Sequence, residues 1–94
     1  MEKYQVVYHP KVIKVDLPKT GQIARKIFFT INKKLSTRPQ IYGLPLRSPL
    51  KKYWKLRLGD WRVVYEIVGY EVQVIIIAHR RHIYDLAVKR LGLD

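Results

Sequence analysis

The chain has 94 residues, 48% of them hydrophobic and 12% aromatic, which suits one domain over residues 1–94 with a single core and excludes intrinsic disorder. Nineteen Lys and Arg against seven Asp and Glu leave a formal net charge of +12, a field that favours polyanions or an acidic partner and says nothing about fold. There is no cysteine, so a disulfide scaffold and thiolate metal or redox sites are excluded.

Tyr4–Tyr8 is a β-branched and aromatic run ended by His9-Pro10. It predicts a strand and then a short helical turn, because Pro suits the first helical position. Leu17-Pro18 is expected to break that turn. A longer helix is predicted from Thr20, as N-cap, to Leu35. Ile23, Ile27, Ile31 and Leu35 recur every four residues, with Phe28 widening the stripe, so the helix is amphipathic and one face should be packed. Residues 36–49 hold three prolines and one glycine and read as a connecting loop.

The second half reads as three strands, Tyr53–Leu58, Trp61–Val68 and Val72–Ala78. Gly59-Asp60 and Gly69-Tyr70 are connections of hairpin type. A short helix is expected over His82–Leu91, ending at Gly92. The order predicts an α+β fold, with helices on one side of a small, antiparallel-rich sheet. The longest apolar run, Val74–Ala78, is too short for a bilayer, and no signal-peptide core follows Met1-Glu2-Lys3-Tyr4. A cytoplasmic protein without membrane contact is expected.

Hairpin arithmetic assigns the faces. With Gly59-Asp60 as the loop, Leu58 opposes Trp61, Arg57 opposes Arg62, and Lys55 opposes Val64. Trp54, Leu56, Leu58, Trp61, Val63, Tyr65 and Ile67 then share an apolar face, the expected core side. Continuing through Gly69-Tyr70 adds Val72, Val74, Ile76 and Ala78 to it. Gln73, Ile75, Ile77 and His79 fall with Lys55, Arg57 and Arg62. Truncating Arg62, off the core side, should therefore leave the fold intact.

Opposed arginines destabilise a strand pair. Keeping Arg57 and Arg62 beside Lys55 suits a phosphate, whose oxygens match guanidinium forks. The alternative is arginines splayed into solvent or paired with Asp60 or Glu66. His79-Arg80-Arg81-His82-Ile83-Tyr84 adds two imidazoles, two guanidiniums and a phenol, which fits acid–base chemistry on a phosphodiester. Tyr84 fits equally well under the last helix, against Val88 and Leu91. The acids have no metal-ligand spacing, and no Gly-rich phosphate loop or nucleophile elbow occurs. Metal-free attack by a ribose 2′-hydroxyl on the adjacent phosphate meets that constraint, with no cofactor.

Leu50-Lys51-Lys52-Tyr53-Trp54-Lys55-Leu56-Arg57-Leu58-Gly59-Asp60-Trp61-Arg62-Val63-Val64-Tyr65-Glu66-Ile67 resembles the central hairpin of the RelE/ParE toxin superfamily. Ile77-Ala78-His79-Arg80-Arg81-His82-Ile83-Tyr84 resembles its C-terminal signature, and Tyr4–Pro10 and the Ile23–Leu35 helix fit the same pattern. The resemblance implies a RelE-like fold and a small basic toxin of a type II toxin–antitoxin pair. RelE-like members are endoribonucleases that cut messenger RNA in the ribosomal decoding site and so stop translation. ParE-like members poison DNA gyrase. Both are held by an antitoxin with an acidic wrapping segment, here a RelB-like one. A non-catalytic nucleic-acid-binding module is a third reading of the same basic face.

Carried over residue by residue, the family's catalytic positions match Lys55, Arg62, Arg80 or Arg81, and Tyr84. A second family lysine falls on Tyr53. Other family ribonucleases use histidine as acid or base, which would suit His82 or His79. Lys51, Lys52 and Arg57 are the expected RNA-backbone contacts, with His79 beside them.

Overall fold

The computed structural model describes residues 3–94, so Met1 and Glu2 lie outside the described residues. The chain runs β1 (Gln5–Tyr8), a π-helical turn (Val12–Asp16), α1 (Leu17–Lys19), a 3-10 turn (Gly21–Ile23), α2 (Ala24–Leu35), α3 (Pro39–Tyr42), β2 (Leu44–Pro45), β3 (Trp54–Leu58), β4 (Trp61–Val68), β5 (Glu71–His79) and α4 (Ile83–Arg90). The α+β class holds. The sheet has five strands in the order β1-β5-β4-β3-β2. β1 runs parallel to β5, and the other pairs are antiparallel. Among the described residues no helix is long and apolar enough to cross a membrane.

Several boundaries move. Leu17-Pro18 does not end the helical path: Pro18 sits in the first turn of α1, where its missing N–H costs nothing. Thr20 does not cap α2. Its hydroxyl donates to the Leu17 carbonyl at 2.6 Å, and α2 starts later, at Ala24. Of the predicted stripe, Ile27, Ile31 and Leu35 are buried while Ile23 is 44% exposed, because it precedes α2. Each fully buried aliphatic side chain contributes about 1.5–3 kcal/mol. The expected loop contains α3 and the two-residue strand β2, which pairs with β3. Gly43 between them is buried, and a Cβ there would stand 2.8 Å from Tyr65 Cζ and 3.3 Å from the Lys55 carbonyl oxygen. Only glycine fits over the Tyr65 ring, whose hydroxyl donates to the Pro39 carbonyl at 2.6 Å.

The first hairpin has the expected register, with Leu58 opposite Trp61 and Arg57 opposite Arg62. Gly59 and Gly69 have φ of 63° and 61°, the left-handed region two-residue turns require. The second hairpin departs. Tyr65 pairs with Val74, but Val64 pairs with Ile76, so Ile75 bulges out of register. An inserted residue reverses the faces beyond it. Ile76 and Ala78 therefore lie on the Arg62 side, and Ile77 and His79 on the Trp61 side. The expectation for these four residues is thereby corrected.

The sheet is consequently covered on both faces rather than one. Val12, Leu17, Ile27, Ile31 and Leu35 pack on Leu56, Val63, Tyr65, Val72, Val74 and Ile77. On the opposite face Val64, Ile75, Ile76 and Ala78 pack with Leu50, Tyr53, Ile83 and Ala87. A second, smaller core thus forms under α4.

A buried ion pair ties these layers together at the bulge. Asp16 is 5% exposed. Its carboxylate accepts from Arg90 Nη1 at 2.6 Å and Nη2 at 3.0 Å, and from the Ile77 N–H at 2.9 Å. Arg90 Nη1 also donates to the carbonyl of the bulged Ile75 at 3.1 Å. The fork geometry satisfies both charges where water is excluded.

Candidate phosphate-binding cleft and a second basic cavity

β3 and β4 present Lys55, Arg57 and Arg62 on one face. The turn after β5 brings Arg80 alongside: its backbone N–H donates to the Asp60 carbonyl at 2.8 Å, and its Nε lies 3.8 Å from Asp60 Oδ1. Lys55, Arg80 and Tyr84 line a cleft of about 140 Å³ with Leu46, Leu50, Val64 and Ile83. Arg80 forms part of this wall and Arg81 does not. Tyr84 is 45% exposed and donates its hydroxyl to the Ser48 carbonyl at 3.1 Å, so it edges the cleft rather than filling the core under α4.

Arg57 and Arg62 resolve their opposition by parting. Arg57 is exposed. Arg62 is only 7% exposed and donates Nη1 to the Gly59 and Trp61 carbonyls at 2.7 and 2.9 Å. Desolvation holds the Arg62 guanidinium below its usual value, and Arg57 and Arg80 push the same way against Asp60. Arg62 therefore braces the β3–β4 turn, and it is not among the residues lining the cleft of Lys55, Arg80 and Tyr84. Removing it would strip two carbonyls of their donor, so truncation here touches the fold.

Lys51 and Lys52 are exposed on the turn before β3. Lys52 pairs with Glu66 at 3.9 Å and lies 5.7 Å from the Tyr53 ring centroid. Tyr53, at the position of the family's second lysine, is buried beneath α4 and brings no charge to the cleft.

The histidines stand elsewhere. His79 and His82 line a separate cavity of about 450 Å³. The register reversal at Ile75 carries His79 to the Trp61 side, with the two rings 5.9 Å apart edge to face. His79 and His82 are 6.4 Å apart. The Arg81 N–H donates to His79 Nδ1 at 3.2 Å, which leaves the Nε2–H of the neutral ring as a donor. Lys11, Lys19 and Lys89 share this cavity. Sequence reasoning passed over all three, since isolated lysines on separate elements read as ordinary solvated charges. Asp16 also escaped it. Nothing local in Val12–Leu17, which also carries Lys14, named Arg90 as its partner.

The family model described as "ParE toxin of type II toxin-antitoxin system, parDE" matches residues 13–84. The toxin–antitoxin complex RelBE2 from Mycobacterium tuberculosis is similar at a TM-score of 0.76 and 27% identity, over 83% of this chain and 99% of that one. A free-state mutant of the E. coli toxin RelE is similar at 0.70 and 24% identity, over 96% and 98% of the two chains. The RelB–RelE antitoxin–toxin complex from Methanococcus jannaschii gives 0.60 and 20% identity, over 85% and 96%. The latter two likenesses concern the fold alone. A search of curated proteins finds no match.

Proposed function

This chain belongs to the ParE toxin family, within the RelE/ParE superfamily of type II toxins, and from that premise we propose that it is a ribosome-dependent endoribonuclease acting on messenger RNA. The observation that carries the reading is the meeting of Lys55, Arg80 and Tyr84 in one cleft. In the proposed step the ribose 2′-oxygen attacks the adjacent phosphorus and the bond from phosphorus to the 5′-oxygen breaks. The products are a 2′,3′-cyclic phosphate and a 5′-hydroxyl. The 2′-hydroxyl proton passes to solvent, and the departing oxygen takes one up. Lys55 and Arg80 neutralise the phosphate oxygens as charge develops on them, usually the largest single contribution. Tyr84 orients the phosphate or stacks on a base. Arg57, Lys51 and Lys52 grip the flanking backbone.

The cleft offers positive charge rather than a paired acid and base. A site of that kind gains most when its substrate arrives already in line, as on a ribosome. An acidic RelB-like antitoxin would neutralise the protein by covering Lys55, Arg57 and Arg80, or by displacing α4.

A gyrase poison is the second reading, since the matching family model is described as a ParE toxin. Induction of the toxin, with message integrity and plasmid supercoiling followed separately, decides between them. Cut messages, lost together in Arg80→Ala and Lys55→Ala, are expected. Broken DNA with intact messages would overturn the ribonuclease.

A further inference from the structure

The cavity of His79 and His82 is separate from the cleft of Lys55, Arg80 and Tyr84. Its volume of about 450 Å³ falls within the range of small-molecule sites. Trp61, His79 and His82 supply an aromatic wall. Lys11, Lys19 and Lys89 are exposed at its sides, and among the described residues none of them joins an ion pair. The acid on its wall, Asp16, is already matched by Arg90 and the Ile77 N–H. The cavity is thus apolar and aromatic inside, cationic at its rim, and provided with a ring N–H donor at His79.

That combination suits a planar base carrying a phosphate. Every base has a π-face that stacks on aromatic side chains, and lysines meet phosphate as mobile point charges. An acidic peptide would need the lysines but not the aromatic wall.

We propose that this cavity binds a nucleoside monophosphate unit, with the base against Trp61, His79 and His82 and the phosphate among Lys11, Lys19 and Lys89. The unit could be free or part of an RNA strand passing around the sheet end at Trp61 and His79. The site stands whether or not the Lys55 cleft cuts RNA.

The test is direct binding to the full chain followed by NMR, with adenosine 5′-monophosphate, adenosine, inorganic phosphate and a short RNA as separate probes. The expected result is a shift of the Trp61 indole and Lys89 signals by adenosine 5′-monophosphate, at least tenfold tighter than by adenosine or phosphate. Lys89→Ala and His82→Ala, both at exposed positions, should each weaken it several-fold with unchanged melting temperature. Arg80→Ala should leave it unaltered. Tighter binding of the RNA at the same signals identifies a strand site, and preference for the mononucleotide identifies a free ligand. Shifts confined to Lys55 and Arg80, or equal affinity for phosphate alone, would overturn the proposal.

Discussion

Gly43→Ala isolates the contact that fixes the α3–β2 connection to the sheet. The new methyl would run into the Tyr65 hydroxyl, 2.8 Å from its Cζ and 3.3 Å from the Lys55 carbonyl. Tyr65 is fully buried, so its ring has no free direction in which to retreat. Overpacking of this kind costs about 1–3 kcal/mol. Breaking the bond from Tyr65 to the Pro39 carbonyl adds about 1 kcal/mol. A total of about 2–4 kcal/mol is a large part of the roughly 5–15 kcal/mol that holds a domain folded. In a domain of this size it should lower the melting temperature by roughly 10–25 °C. Thermal unfolding followed by circular dichroism reads the loss. The double mutant with Tyr65→Phe should lose less than the two single losses combined, since the hydroxyl is the first atom struck. A Gly43→Ala protein melting within about 2 °C of the parent, or strict additivity with Tyr65→Phe, would refute this account.

Asp16→Ala should destabilise by about 3–5 kcal/mol in urea titration, because it leaves Arg90 buried without its partner; Asp16→Asn should cost less. Arg62→Ala should remain foldable but lose about 1–3 kcal/mol from its two unpaired carbonyls, so its toxicity must be compared at matched soluble levels. Burial raises the phenols of Tyr8 and Tyr65 above the ordinary tyrosine value. In the unfolded chain they ionise near pH 10 while the folded chain resists. Stability is therefore full below about pH 10 and falls above it, by up to about 1.4 kcal/mol per pH unit for each phenol. Urea midpoints between pH 9 and 11 should follow that fall, less steeply in Tyr65→Phe. Association with an acidic antitoxin should slow as salt rises, because charge steering is screened beyond about 8 Å at physiological ionic strength; a rate indifferent to salt would mean that steering plays no part.

The sequence made the first hairpin readable because its turn chemistry and its alternation agree. Gly59-Asp60 fixes the loop, and polar Lys55 and Arg57 mark the parity of β3. The strand Val74–Ala78 carries no such mark. It is apolar at every position, so the bulge at Ile75 reverses the faces without a visible change in pattern. That one residue accounts for the misplacement of His79. β2 was hidden for another reason: Leu44-Pro45 pairs only because tertiary packing lays it beside β3. Of the cleft, Lys55 was legible from the alternation of β3, and Arg80 and Tyr84 from the cluster of residues 79–84. The gathering of Lys11, Lys19 and Lys89 was not, because it depends on where β1 leaves the sheet and where α4 returns to it.

The ion pair of Asp16 and Arg90 joins positions 74 apart in the chain, and this sets an order on synthesis. β1 likewise finds its partner only in β5. The N-terminal helical turns emerge early, with a carboxylate whose cation has not yet been made. Burying Asp16 alone is costly, so this corner stays open until translation has passed Arg90. By then Arg80 and Tyr84, the last walls of the cleft, have also been added. Closure of this corner and completion of the Lys55 cleft thus depend on the same late segment, residues 80–90.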